Sequence, residues 1–244
     1  AANSLVGESV QNPAKYYRNN VVGTLNLLEA VRNLPAGLRP VVLNVGSCEE
    51  YGAQAGPPAP LTEDAPLNPQ SPYAVSKVAQ TLRCRQYARS YDLPVITARS
   101  FSHSGPGQDA RFAFPSFARQ IARAEAGLEP PQIATGDLSA VRDFLDVRDV
   151  VVAYRRLVQM GRPGEIYNVC SGAPLTIAAG LDILLEGARR PLTATVDPDR
   201  CRPSDTPHLI GDAAKLRDET GWVPEYDFAN TLEELLEAAR KELA

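Results

Sequence analysis

Short apolar runs rich in β-branched residues recur along the chain, and helix-like segments separate them. The runs cover residues 39–45, 93–99 and 165–169. Apolar runs of this length, without regular polar alternation, are typical of strands that are covered on both faces of a parallel sheet. Parallel neighbours need crossover connections, which the intervening helices can provide. The alternation therefore predicts an α/β protein built on a parallel β-sheet.

Local start and stop signals predict the remaining elements. A helix is predicted from Asn12-Pro13 to about residue 32, with Tyr17 on its buried apolar stripe. Asp149 is predicted to cap a helix that ends at Met160. The other predicted elements are helices over 72–91 and 112–128, strands over 132–137 and 141–147, and, after residue 175, a helix, a strand, the polar loop 197–207 and two helices on either side of residues 221–224.

The segment Ser71-Pro-Tyr-Ala-Val-Ser-Lys77 carries the strongest chemical signal. Pro72 suits the first turn of a helix, so Tyr73 and Lys77 lie four residues apart on one helix face. A phenol is a poor acid–base group at neutral pH unless a neighbouring positive charge stabilises the phenolate. Lys77 can provide that charge. Taken alone, the two residues could also be an ordinary pair on an exposed helix face.

Composition excludes several classes of protein. The chain has 244 residues, 44% of them hydrophobic, and a formal net charge of −4 without a Lys/Arg cluster, which argues against nucleic acid and anionic membrane surfaces as partners. No apolar run approaches the ~20 residues of a membrane span. The four cysteines form no Cys-x-x-Cys pair, so no metal site or disulfide framework is indicated. These features predict a cytoplasmic protein with reduced thiols.

An ordered series of motifs runs along the whole chain. They are A-A-N-S at 1–4, N-N-V-V-G-T at 19–24, G-S-C-E-E-Y-G at 46–52, S-P-Y-A-V-S-K at 71–77, S-H-S-G-P-G-Q at 102–108, R-D-F-L-D-V-R-D at 142–149, Y-N-V-C-S-G at 167–172 and R-P-S-D at 202–205. This series resembles the extended short-chain dehydrogenase/reductases that act on nucleotide-diphosphate sugars, the NAD-dependent epimerase/dehydratase family. Some of the motifs look most like the branch that reduces GDP-4-keto-6-deoxy-D-mannose.

The resemblance implies a Rossmann-type, doubly wound parallel sheet with a smaller C-terminal substrate domain. Residues 1–107 and 144–171 would belong to the dinucleotide-binding domain, and residues 108–143 and 172–244 to the nucleotide-sugar domain. The first β-α-β portion of the family, which carries a Gly-rich phosphate loop, is absent from this chain. We therefore expect roughly 60–80 further residues upstream of Ala1, about the length of two βα units.

The resemblance also assigns catalytic roles. Tyr73 would donate a proton to the 4-keto oxygen of the sugar, and Lys77 would lower the pKa of Tyr73 and bind the nicotinamide ribose. Ser47 would donate a hydrogen bond to the same oxygen, although a serine there could simply cap a turn. Glu49 would either remove a sugar proton, as in the related dehydratases, or only orient the sugar. Cys48 replaces the Ser or Asp frequent in the dehydratases, and we expect an inert buried thiol.

Binding roles follow from the same motif positions. Arg142 and Arg202 would bind the nucleotide diphosphate, although Arg142 could instead pair with a neighbouring aspartate and Arg202 could be a solvated loop charge. Asn20 would lie near the active site, but it could also be a satisfied buried amide. His103, beside the Gly105-Pro106-Gly107 loop, is a further candidate. The expected cofactor-binding residues are Ala2, Asn20, Ser47, Tyr73, Lys77 and Ser100, and the expected substrate-binding residues are Ser4, Glu49, Ser102, Arg142, Arg202 and Asp205. Asp205 would contact the nucleotide ribose, and Ser102 stands where the family usually has an Asn.

The sequence therefore predicts an NAD(P)H-dependent oxidoreductase that reduces a nucleotide 4-keto-6-deoxyhexose, with NADP or NAD as cofactor and a GDP-sugar as the favoured substrate. One alternative is a 4,6-dehydratase or 4-epimerase with tightly bound NAD(P). A second alternative, if the chain is naturally complete, is a non-catalytic nucleotide-sugar binding module. We also expect a homodimer, paired through the helices of residues 13–32 and 72–91.

Overall fold

The computed structural model describes residues 2–200 and 206–243 of the chain. The strands are β1 (Val42–Val45), β2 (Val95–Ser100), β3 (Ser102–Ser104), β4 (Gln132–Thr135), β5 (Val141–Asp146), β6 (Ile166–Val169), β7 (Pro174–Thr176), β8 (Thr193–Val196) and β9 (His208–Leu209). The helices are α1 (Val6–Gln11), α2 (Pro13–Tyr16), α3 (Gly23–Arg32), α4 (Pro72–Tyr91), α5 (Ala113–Glu125), α6 (Val147–Met160), α7 (Ile177–Glu186), α8 (Ala214–Thr220) and α9 (Phe228–Lys241).

A parallel sheet of order β1-β2-β6 lies at the centre of the fold. Val42 pairs with Val95, and Thr97 pairs with Ile166. Every residue of β2 and β6 is buried, because helices α4, α6 and α8 pack against the sheet. The predicted parallel-sheet α/β architecture is confirmed, and the three apolar runs are its strands.

The first predicted helix contains a π-helical turn at Tyr17–Val22, between α2 and α3. A π turn holds an extra residue, so it shifts the side chains that follow around the helix axis. Tyr16 is fully buried, whereas Tyr17 is 38% exposed. The prediction that Tyr17 lies on the buried stripe is therefore wrong, although Leu28 and Val31 on that stripe are buried.

A second core lies outside the central sheet. Helices α5, α7 and α9 pack together, and the paired strands β4 and β8 lie alongside α5. Short segments of chain form a mixed sheet in which β5 pairs with β3, β7 and β9. Because β3 follows β2 after a single residue, this mixed sheet begins next to the carboxyl end of β2 in the central sheet. None of the helices in the described ranges is long and apolar enough to cross a membrane.

The helix α6 begins earlier than the sequence pattern suggests. Its cap is Asp146, whose side chain accepts the Arg148 N–H at 2.7 Å. Asp149, predicted as the cap, is instead a buried residue of the first turn, where its carboxylate accepts the backbone N–H groups of Glu225 and Tyr226. The prediction was wrong because β5 runs straight into the helix and leaves no loop for a later cap.

Candidate active site

A cleft of about 580 Å³ opens where strands β1 and β2 end, between the central sheet and the second core. Loops at the carboxyl ends of parallel strands are where open α/β sheets bind ligands. The cleft brings together most of the residues that the sequence singled out. They are Ala2, Ser4, Ser47, Cys48, Glu49, Tyr73, Lys77, Ser100, Ser102, His103 and Arg142.

Tyr73 and Lys77 lie on the first turns of α4, which starts as its sequence predicts. The Ser71 side chain accepts the Ala74 N–H at 3.1 Å, and Pro72 occupies the first helical position. Both functional side chains are buried, and Lys77 Nζ donates to the Val45 carbonyl oxygen at 2.9 Å. The same nitrogen lies 5.8 Å from the centre of the Tyr73 ring. The pair therefore lies inside the cleft and not on an exposed face.

Ser47 follows β1 and starts a single turn of 3₁₀-helix. Its hydroxyl accepts the Glu49 N–H at 3.3 Å, so the turn-capping role is present. The Ser47 side chain also lies close enough to the Tyr73 phenol to act on its pKa. Capping uses an acceptor lone pair of the hydroxyl, and its proton stays available for another acceptor. The two roles that the sequence left open are therefore compatible.

Burial controls the protonation of the Tyr73–Lys77 pair. It lowers the pKa of Lys77 to about 8, and the nearby charge of Glu50 opposes this effect. Burial also raises the pKa of the Tyr73 phenol above its ordinary value, while the neighbouring Ser47 side chain acts in the other direction. The net shift of the Tyr73 pKa is therefore upward, and the expectation that Lys77 lowers it stays a prediction. Tyr73 is thus a protonated phenol at neutral pH, suited to donate a proton.

The turn after Ser47 presents a thiol and a carboxyl to the cleft. Burial, followed by the charge of Glu49, raises the pKa of the Cys48 thiol, so it stays protonated and a poor nucleophile. Burial also raises the pKa of Glu49, and the nearby guanidinium of Arg142 opposes this. Cys48, Cys84 and Cys170 are buried free thiols.

Other predicted residues have clear positions. Asn20 is a satisfied buried amide: its Nδ2 donates to Ser76 Oγ at 2.9 Å and to the Asn3 carbonyl, and its Oδ1 accepts the Asn3 N–H. It supports the cleft without lining it. His103 Nδ1 lies 3.0 Å from the Phe101 carbonyl oxygen. Arg202 and Asp205 lie outside the described residues.

Two features of the cleft were missed from the sequence. Tyr154, on α6, lines the cleft, and its hydroxyl oxygen lies 2.6 Å from Ser100 Oγ. The sequence around Tyr154 does not distinguish it from an ordinary core tyrosine. Phe112, Phe114 and Phe144 form an aromatic wall on the side of the second core. These three phenylalanines stand near polar motif residues in the sequence, but their position on one surface follows only from the fold.

The cleft suits a dinucleotide that carries a nicotinamide ring. Ala2 and Ser4 line the cleft, and the buried Nδ2 of Asn3 between them has no hydrogen-bond partner among the described residues. Lys77 uses one of its three protons on Val45 and can donate the others to a ribose. Within 2–200 and 206–243, no cluster of three His, Cys, Asp or Glu side chains could hold a metal ion.

Comparison with known proteins identifies relatives of this site and fold. GDP-6-deoxy-D-mannose reductase of Pseudomonas aeruginosa is 39% identical over 236 residues, which cover 97% of this chain and 77% of that protein. The dTDP-glucose 4,6-dehydratase of Xanthomonas campestris is 35% identical over 93% of this chain and 67% of its own length. The solved structure of RMD from Pseudomonas aeruginosa complexed with NADPH superposes with a TM-score of 0.92 at 37% identity, covering 99% of this chain and 80% of that chain.

The likeness to these structures confirms a Rossmann-like fold of the epimerase/dehydratase type. A family model described as GDP-mannose 4,6 dehydratase matches residues 1–235, nearly the whole chain. The chain therefore belongs to the GDP-mannose 4,6-dehydratase family.

Proposed function

We propose that the protein is an NAD(P)H-dependent oxidoreductase that reduces the 4-keto group of GDP-4-keto-6-deoxy-D-mannose to give GDP-D-rhamnose. Support comes from the 39% identity to GDP-6-deoxy-D-mannose reductase and from the likeness to a structure solved with NADPH. The cleft adds a chemical reason. Its size and mixed polar and aromatic lining suit a nucleotide sugar beside a nicotinamide ring.

The observation that carries the proposal is that the Ser47 and Tyr73 side chains line the cleft together, beside the buried Lys77 ammonium. A keto oxygen bound to both hydroxyls accepts two hydrogen bonds, which stabilise the negative charge that develops on it during reduction. Bound nicotinamide supplies the hydride to the sugar carbon. Tyr73 then transfers its proton to the oxygen, and the Lys77 charge stabilises the phenolate that remains.

The residues after Ser47 favour reduction over dehydration. Elimination from the sugar needs a base for the C5 proton and an acid for the leaving hydroxyl. Glu49 could be the base, but Cys48, with its raised pKa, is a weak acid for the second role. The raised pKa of Tyr73 keeps the phenol protonated at neutral pH, which is the state that reduction starts from, whereas an initial oxidation needs the phenolate as a base. We therefore place dehydration or epimerisation second to reduction.

Substrate binding would use both sides of the cleft. Arg142 lines the cleft, and its guanidinium can bind a diphosphate bidentately; Arg202 and Asp205 stay predictions for the diphosphate and the nucleotide ribose. We infer the domain division stated above, a cofactor domain of residues 1–107 and 144–171 and a sugar domain of the rest. The separate core around α5, α7 and α9 supports it.

The test compares two reactions of the same protein. One reaction contains GDP-4-keto-6-deoxymannose with NADPH or NADH, and the other contains GDP-mannose without added cofactor. Absorbance at 340 nm and product masses are followed for the native protein and for Glu49→Gln. We expect oxidation of NAD(P)H with a product two mass units heavier than the ketone, and Glu49→Gln should keep much of this activity. Loss of water from GDP-mannose that Glu49→Gln abolishes would refute the reductase in favour of a dehydratase.

We further propose a homodimer and a cytoplasmic location. Exposed apolar side chains on the two predicted pairing helices support the dimer: Leu27 is 53% exposed and Leu82 is 52% exposed. Buried free thiols suit a reducing compartment. Sedimentation at micromolar concentration should show a dimer, and Leu27→Glu/Leu82→Glu should dissociate it. Leu128→Glu, which changes an exposed leucine elsewhere, is the control and should leave the dimer intact.

A further inference from the structure

Glu50 is a fully buried carboxyl beneath the catalytic side chains, and it contacts three separate elements. Its Oε1 accepts the Ser47 backbone N–H at 2.9 Å and the Thr81 hydroxyl at 3.1 Å. Its Oε2 accepts Nη2 of Arg99 at 3.1 Å. Ser47 belongs to the catalytic turn, Thr81 lies one helical turn beyond Lys77, and Arg99 precedes Ser100 in β2. One side chain thus joins the three elements that form this side of the cleft.

The absence of a side chain at Gly46 leaves room for the Glu50 carboxyl. A Cβ added to Gly46 would lie 2.6 Å from Glu50 Oε1, which is too close for real atoms. Glycine at 46 therefore permits the carboxyl to reach the Ser47 N–H. On the far side, the guanidinium of Arg99 lies over the Tyr51 ring at 4.5 Å and cannot swing away to solvent.

A buried ion pair needs a reason beyond stability. Removing two charges from water costs several kcal/mol per ion, and well-packed apolar residues are often as stable. Burial raises the pKa of the Glu50 carboxyl, whereas the charge of Arg99 and the hydrogen bonds that the carboxyl accepts act in the other direction and favour its ionised form. A negative charge at this position acts on the Lys77 ammonium above it. The negative charge of Glu50 therefore lies where it can stabilise the ammonium of Lys77.

We propose that Glu50 is a positioning residue for the reaction: it holds the Ser47 turn in place through the backbone, and its negative charge keeps the buried Lys77 ammonium protonated at neutral pH. This inference rests on the proposed reductase function for its catalytic consequence. Its structural and electrostatic parts can be measured without any activity.

Several charged or titratable groups face Glu50 from the elements around it. They act on one another, so the test must separate the carboxylate from its ion-pair partner. The groups are Cys48, Glu49 and Tyr51 in the catalytic turn, Tyr73, Lys77 and Cys84 on α4, and Arg99 on β2.

The test uses a charge-removing variant, a double variant and a matched control. Glu50→Gln keeps the shape of the side chain and removes its charge. Glu50→Gln/Arg99→Met removes both charges, so it folds without an uncompensated buried guanidinium. Glu125→Gln removes the carboxylate from another nearly buried ion pair, with Arg240 at 2.6 Å, which lies in the second core away from the cleft.

The first readout is the titration of Lys77 by NMR in protein with ¹³Cε-labelled lysine. The chain has four lysines, Lys15, Lys77, Lys215 and Lys241, so the Lys77 signal can be assigned by its loss in Lys77→Met. We expect the pKa of Lys77 to fall from about 8 by roughly one pH unit in both Glu50 variants, because a nearby opposite charge has been removed. The Glu125→Gln spectrum should titrate as the native protein does.

The second readout is the pH dependence of ketone reduction. Loss of the carboxylate lowers the pKa values of Lys77 and Tyr73 alike, so the alkaline limb of the kcat profile should move down by roughly one pH unit. As a result, kcat should fall about two-fold at pH 7 and about 10-fold well above pH 8, and the KM for the GDP-sugar should change little. Glu50→Asp, which keeps the charge, should retain the native alkaline limb. A purely structural role would lower activity equally at all pH values.

The outcomes separate this inference from the proposed function. A Lys77 pKa that stays near 8 in both Glu50 variants overturns the inference, even when the enzyme is an active reductase. A shift in Glu50→Gln that disappears in the double variant also overturns it, because the unpaired Arg99 would then be the cause. If the native protein reduces no GDP-4-keto-sugar, the proposed function fails, whereas the NMR titration still decides the role of the Glu50 charge.

Discussion

Replacing Lys77 by Met should stabilise the folded protein even though it removes a functional residue. Lys77 is only 4% exposed, and burial lowers its pKa from 10.5 to about 8. One pH unit corresponds to about 1.4 kcal/mol, so the buried ammonium costs the folded state roughly 3 kcal/mol at pH 7. Methionine loses the hydrogen bond to Val45, worth about 1 kcal/mol. The expected net gain is about 2 kcal/mol.

The gain in stability of Lys77→Met over the native protein should decrease as the pH rises above about 8. Below pH 8 the lysine is protonated in both the folded and the unfolded state, so the native protein bears the whole cost. Between about 8 and 10.5 the folded state releases the proton while the unfolded state keeps it, and the native protein becomes more stable relative to Lys77→Met. The advantage of the variant should therefore shrink by roughly 2 kcal/mol between pH 7 and pH 9.5.

Urea unfolding of the two proteins at pH 7 and pH 9.5 measures this difference. Taking the difference cancels the other groups that titrate in this range, such as exposed tyrosines. A variant that is less stable than the native protein at pH 7, or a gap that stays constant with pH, would refute the argument that burial destabilises the charge of Lys77.

Two further substitutions test the proposed proton donor Tyr73 and the buried carboxylate of Asp143, next to Arg142. Tyr73→Phe should lower turnover by about 10²–10⁴ and leave GDP affinity, measured by calorimetry, unchanged; a variant that keeps a tenth of native turnover would exclude Tyr73 as the donor. Asp143→Ala removes a buried carboxylate that accepts N–H groups from Ser171, Gly172 and Gly211 at 2.7–3.2 Å, so the free energy of unfolding should fall by about 3–5 kcal/mol. A loss below about 1 kcal/mol in urea unfolding would contradict this account.

The parts of the fold set by local signals were predictable from the sequence. Helix α4 runs over Pro72–Tyr91, as predicted, because a serine cap and a proline at the first position define its start. The buried strands were visible as apolar runs, although β1 is shorter than predicted and begins at Val42. The motifs along the chain also indicated nearly half of the residues that line the cleft.

Features that depend on distant contacts were not predictable. The short strands β3, β7 and β9 owe their pairing to β5, so their own sequences carry little strand signal. The π turn depends on packing against α4, which the sequence of the first helix does not reveal. Glu50 stands in the sequence only as one letter of a motif, because its importance comes from Ser47, Thr81 and Arg99 meeting around it.

The same burial has opposite consequences for the two side chains that we propose to be catalytic. It raises the pKa of Tyr73, which keeps the proton that a reductase must donate, but it lowers the pKa of Lys77 and so weakens the charge that must stabilise the phenolate. Stronger burial would hold the Tyr73 proton more firmly, but it would further weaken the positive charge of Lys77. A fixed negative charge under Lys77 restores the ammonium without exposing Tyr73 to water. The buried Glu50–Arg99 pair is thus an arrangement that a proton-donating site gains from, in spite of its desolvation cost.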